Sequence, residues 1–140
     1  MATNDMLEHV LVPVATEADA TETARALREY SPAQVTVTHV VEKGGGVPDK
    51  TPVEQSEAVA ADAYDAVREW FPDAEEHTTY ETDVVRGIFA AAREVEATAI
   101  AFQPRGGNRL AKFLAGDLTQ KLVTNAPLPV LVLPQEGGRY

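Results

Sequence analysis

Cysteine is absent from the 140-residue chain, which excludes disulfides, thiolate metal sites and thiol chemistry and favours an intracellular address. Basic residues are scarce. Twelve Lys and Arg stand against 22 Asp and Glu, for a formal net charge of −10, so nucleic-acid phosphate is excluded as a partner. Long apolar runs are missing, and Met1 to Leu7 has neither the basic start nor the apolar core of a signal peptide. These absences predict a soluble cytoplasmic protein with no membrane partner. What the chain does have is 44% hydrophobic and 24% charged residues, enough for a packed core, in a length that suits one domain over residues 1–140.

The acid is unevenly spread. Residues 1–96 hold 20 acids and 7 bases, while residues 97–140 hold 2 acids and 5 bases, so the balance swings from −13 to +3. The C-terminal third either lines an anion site or is the part most buried against the core or a partner. Self-repulsion on this scale weakens a compact state at ordinary ionic strength, whereas at about 1 M salt the screening length falls to about 3 Å. A salt-loving source is one reading of that excess, and an ordinary acidic mesophilic protein is the other.

Leu7 to Ala15 is rich in Val and Leu with little alternation, as a strand buried on both faces requires. Ala18 to Tyr30 places Ala20, Ala24 and Leu27 at helical spacing behind an acidic first turn, and Ser31-Pro32 closes it. A second strand is expected over Gln34 to Val41, followed by the triple glycine at 44–46. Thr51-Pro52-Val53-Glu54 carries a capping-box signature, with Thr51 as N-cap of a helix whose inner stripe is Val59, Ala63, Val67 and Trp70. Trp70 at that spacing reads as core. Glu76 to Thr82 is a polar strand suited to a sheet edge, and Asp83 caps a third helix running to Glu94. Thr98 to Phe102 is the fourth strand, Leu110, Leu114, Leu118 and Leu122 mark a fourth helix, and Pro129 to Leu133 is the fifth strand. Strands alternating with helices predict an α/β fold, a parallel sheet with right-handed crossovers and helices on both faces. Ligands in such folds bind beyond the carboxyl ends of the strands, here Pro13 to Thr16, Val41 to Lys43 and the loop Gln103 to Arg109.

That last loop is the main chemical candidate. Gly106 and Gly107 allow close backbone approach, the following helix start offers free N–H groups, and Arg105 and Arg109 add charge, which together suit phosphate. A plain turn with solvated arginines accounts for the same residues. His9, His39 and His77 lie on three separate strands without metal-ligand spacing and read as strand packing. No Gly-x-Ser-x-Gly elbow occurs, and nothing marks a nucleophile with its base. A receiver domain would need acids where Val14 and Ala15 stand.

Val10-Leu11-Val12-Pro13-Val14, His39-Val40-Val41, Gly87-Ile88, Gly116 with Leu118-Thr119, and Pro129 to Leu133 together resemble, in order and spacing, the universal stress protein family. The resemblance spans nearly the whole chain. It implies a three-layer, Rossmann-like sandwich related to the adenine-nucleotide alpha-hydrolase folds, with strand order 3-2-1-4-5, and a homodimer joined through the last strand. It also implies a division into ATP binders and non-binders. Binders carry Gly-x2-Gly-x9-Gly-Ser/Thr after strand four and an aspartate after strand one that contacts adenine. Laid on this chain, the pattern keeps Gly106 and Gly116 but meets Gln103 at its first glycine, Asp117 at its Ser/Thr and Ala15 at its aspartate. A carboxylate facing phosphate repels it unless Asp117 pairs with Arg105, Arg109 or a divalent cation. The expectation is therefore a non-enzymatic cytoplasmic regulator or adaptor with a degraded cleft, no assigned cofactor, no metal site, a partner copy joined through Pro129 to Leu133, and an unidentified protein partner. The alternative is a sensor that binds ATP with Mg²⁺, or another anionic metabolite, at Pro13, Val14, Ala15, Val41, Gln103, Arg105, Gly106, Arg109, Gly116, Asp117, Leu118 and Thr119.

Overall fold

The computed structural model describes residues 5–42, 50–103 and 117–134. The elements along the chain are β1 (Val10–Pro13), α1 (Glu17–Arg28), β2 (Val35–Glu42), α2 (Lys50–Arg68), β3 (Glu75–Glu81), α3 (Val84–Glu94), β4 (Ala99–Phe102), α4 (Asp117–Asn125) and β5 (Val130–Val132). They build one parallel sheet in the order β3-β2-β1-β4-β5. This is the α/β architecture and the strand order expected above.

Strand periodicity divides the core in two. Val10, Val12 and Val14 of the first strand segment face the same side as Val35 and Val37 and pack with Ala20, Ala24 and Leu27 of α1 and Ala63, Tyr64 and Val67 of α2. Leu11, Val40, Ile100 and Phe102 point the other way, onto Val85, Ile88, Ala91 and Ala92 of α3 and Leu122 of α4. Both faces of the central strands are thus covered by helices, and β1 and β4 are buried along their whole length.

The expected helix starts fare differently: α3 begins after Asp83 as read, α1 begins at Glu17, one residue before the expected Ala18, and α2 begins two residues before the expected Pro52. Thr16 caps α1 by accepting from the Asp19 N–H, and Asp83 caps α3 by accepting from the Arg86 N–H. The second helix begins at Lys50, so Thr51 lies inside it and is not its N-cap. Pro52 permits that shift, because the N–H groups of a helix's first turn have no intrahelical acceptor to lose. Val59 also departs from expectation. It is 39% exposed, and Ala60 and Tyr64 occupy the inner face beside Ala63 and Val67. Trp70 is a partial core residue: it packs on the first cluster while the Arg25 and Arg28 guanidinium groups stand 5.9 and 5.4 Å from its ring centre. Helix α1 ends at Arg28 with Glu29 as its C-cap, two residues before the expected end at Tyr30, and Ser31 follows in the left-handed region at φ 51°. The leucines Leu110 and Leu114 lie outside the described residues, as does the side chain of Leu118; Leu122 is fully buried.

The two outer strands differ. Polar β3 holds its edge with Tyr80, whose hydroxyl donates to the Glu57 carboxylate of α2 and whose own ionisation is pushed up by that bond. Apolar β5 leaves Val132 51% exposed. Among the described residues, no helix is long and apolar enough to cross a membrane.

Candidate functional site

The strand order reverses at β1, which lies between β2 and β4, so the carboxyl ends of these strands open the crevice in which such sheets hold ligands. Pro13, Val14, Ala15, Val41 and Gln103 are all at that end. The structure brings these five together; Arg105, Gly106, Arg109 and Gly116 lie outside the described residues, and so do the side chains of Asp117 and Leu118. Thr119 is half-buried in the first turn of α4.

The backbone of this rim is firmly held. Val14 N–H donates to the Thr38 carbonyl at 2.9 Å, and the Val14 carbonyl accepts from His39 Nδ1 at 3.0 Å. Because a carbonyl can only accept, the proton of the neutral ring resides on Nδ1. Nε2 is then the acceptor for the Ser56 hydroxyl, 3.1 Å away on α2. Burial lowers the His39 pKa below its ordinary 6.5, and the Val14 carbonyl only partly offsets this. His39 is therefore a neutral pin joining the end of β1 to α2 through β2.

Ser56 and His39 share the hydrogen bond of a nucleophile and its base, yet little else fits that chemistry. The ring is only 8% exposed, and Ser56 lies within α2, beyond the first turn, where neighbouring N–H groups belong to the helix ladder and cannot receive an oxyanion. Among the described residues, no cluster of three or more His, Asp or Glu could hold a metal ion. His9 hydrogen-bonds Thr36, and His77 bonds Thr79 and Glu94, so all three histidines have partners on their own strands' surroundings.

The position where the resemblance calls for an aspartate is Ala15. A carboxylate is nearby: Asp19 Oδ2 accepts from the Ala15 N–H at 2.9 Å, while the Asp19 N–H donates to Thr16 Oγ1 at 3.1 Å. This reciprocal pair is a close variant of the capping box. Asp19 is 1% exposed and its Oδ2 is engaged by the Ala15 N–H, so it stands as a cap of the β1–α1 turn. Gln103 is likewise engaged. It is 3% exposed, and its Nε2 donates to the Pro134 carbonyl at 2.9 Å, tying the end of β4 to the segment after β5. The roles of Asp19 and of the His39–Ser56 pair were not read from the sequence. Thr16-x-x-Asp19 carried the signal for the first; nothing local pairs His39 with Ser56, which are brought together only by packing α2 on β2.

An open parallel sheet with this order defines a doubly wound, Rossmann-like α/β class. Within that class the chain belongs to the universal stress protein family, whose family model matches residues 6–134. A universal stress protein from Archaeoglobus fulgidus is similar in fold, with TM-score 0.70, 22% identity, and 91% of this chain and 98% of that chain covered. A structure of the universal stress protein from Archaeoglobus fulgidus in complex with dAMP has TM-score 0.68 at 21% identity, over 91% of this chain and 98% of that one. A universal stress protein in complex with cAMP has TM-score 0.66 at 15% identity, over 92% and 98%. No match was found among the curated proteins.

Proposed function

We propose that this universal stress protein is a cytoplasmic, non-enzymatic regulator or adaptor that pairs with a second copy through β5, and that its cleft does not take ATP in the manner the family pattern implies. The observation that carries this reading is the state of the rim. Ala15 offers no carboxylate, its N–H already donates to Asp19, and the Gln103 amide already donates to Pro134. Adenine would meet a wall whose hydrogen-bonding groups are satisfied from within. Dimerisation is supported by the edge itself: Val132 and, on neighbouring α4, Val123 are exposed at 51% and 49%, and an unpaired apolar edge invites association.

The second reading is a nucleotide sensor, favoured by the dAMP and cAMP complexes of proteins with the same fold. Thermal-shift and calorimetric titration with ATP, AMP and cyclic nucleotides, with and without Mg²⁺, separates the two. A ligand at about 100 times its dissociation constant adds about 2.7 kcal/mol of stability. No shift, no co-purified nucleotide and no phosphate release are expected of the adaptor; a saturable shift establishes the sensor.

A further inference from the structure

On the face opposite α1 and α2, a groove runs between α3 and α4. It is lined by the apolar Val85, Phe89 and Pro127, by Arg86 and Arg93 of α3, and by Lys121 of α4. Asp83 stands at one end, where its carboxylate accepts from the Arg86 N–H. Arg86 also lies 4.0 Å from Glu81. Arg93 and Lys121 have no ion pair among the described residues. In a chain of net charge −10, a groove with three cations and one acid is a local reversal of sign.

The dimensions narrow the occupant. Asp83 and Arg93 are ten positions apart, about 15 Å along a helix, and the groove holds about 460 Å³. That length takes about four to five residues of an extended segment. Arg86 and Arg93 lie on α3 and Lys121 on α4, so cations flank the groove from both helices. Residues three apart on an extended segment point to opposite sides, so one carboxylate faces an α3 arginine and the other Lys121, with an apolar side chain between them against Phe89.

We propose that the α3–α4 groove is a docking site for an extended acidic segment of a partner protein, in which carboxylates about three residues apart flank an apolar residue. This site is separate from the crevice at the strand ends and does not depend on whether that crevice binds nucleotide.

The probe is a fluorescein-labelled synthetic peptide of about seven residues with leucine between two glutamates at that spacing, read by fluorescence anisotropy with the full chain. Saturable binding is expected, weakened at least about tenfold in Arg93→Glu/Lys121→Glu, as loss of two facing charges predicts. Both positions are exposed, and circular dichroism confirms that the variant is folded. The variant is also expected to bind the peptide with lysine in place of glutamate, which a merely structural role for these residues would not produce. Absence of binding by the wild-type chain, or equal binding by the variant, overturns the proposal. Full displacement by pyrophosphate at matched ionic strength also overturns it and assigns the groove to a small anion.

Discussion

Replacing Gly87 by alanine sets two known effects against each other. In an exposed helix interior the change gains about 1 kcal/mol of helix propensity. Here Gly87 is buried against β2, and a Cβ built on it would stand 2.9 Å from Val40 Cγ1, 3.1 Å from Val40 Cγ2 and 3.3 Å from Glu81 Cβ. Val40 cannot easily yield, because its β-branched side chain is stiff and its backbone is paired with Thr79 of β3. Overpacking of this kind costs about 1–3 kcal/mol, so the clash outweighs the propensity gain at most of that range. The difference is a net loss of about 0–2 kcal/mol, centred near 1 kcal/mol, or a Tm lower by about 3–5 °C at the centre of that range. Urea unfolding at fixed protein concentration measures it, with Val40→Ala and the double variant completing a cycle. Val40→Ala removes both obstructing methyls, so the double variant should be more stable than the sum of the singles by at least about 1 kcal/mol. If Gly87→Ala is as stable as the wild type, or if the two changes simply add, close packing of α3 on β2 at this point is refuted.

Acid should weaken the fold through His39. Its pKa is lowered in the folded state from 6.5, so the unfolded chain takes up the proton first; this contribution is complete above about pH 6.5 and is lost as the pH falls towards the folded value. The slope of urea midpoint against pH over that window should flatten in His39→Gln, and an unchanged slope would contradict the assignment. Val132→Glu places a charge on the exposed edge of β5 and should shift sedimentation from dimer to monomer without unfolding the chain; a monomeric wild type removes the β5 pairing. Raising KCl from 0.1 to about 2 M should raise Tm by screening a net charge of −10, and a salt-independent Tm would mark the acidity as incidental to stability.

Much of the scaffold was legible because its signals are local. Val-rich runs gave the inner strands, Asp83 gave the start of α3, and Ala20, Ala24 and Leu27 gave the inner face of α1, since hydrophobic period and cap chemistry act within a few residues. Where local signals were redundant, they slipped. A first helical turn tolerates proline at several positions, so Thr51 was misplaced by a residue or more, and the alanine-rich stretch 58–66 allowed two inner faces, of which the structure selects the one bearing Ala60 and Tyr64.

The site divides along the same line. That Ala15 carries no carboxylate, and that Gln103 stands where a glycine was expected, follows from residue identity, which needs no folding. What those residues do depends on the packed fold. Asp19 caps the β1–α1 turn, Gln103 reaches across to Pro134, and His39 joins Val14 to Ser56, contacts of 31 positions and 17 positions in the last two cases. Such pairings depend on which strand lies beside which, and sheet order is a property of the whole chain. The α3–α4 groove is of the same kind: Arg86 and Arg93 share a helix face by periodicity, but Lys121 joins them only because the chain crosses from β3 to β4 and on to β5 on one side of the sheet.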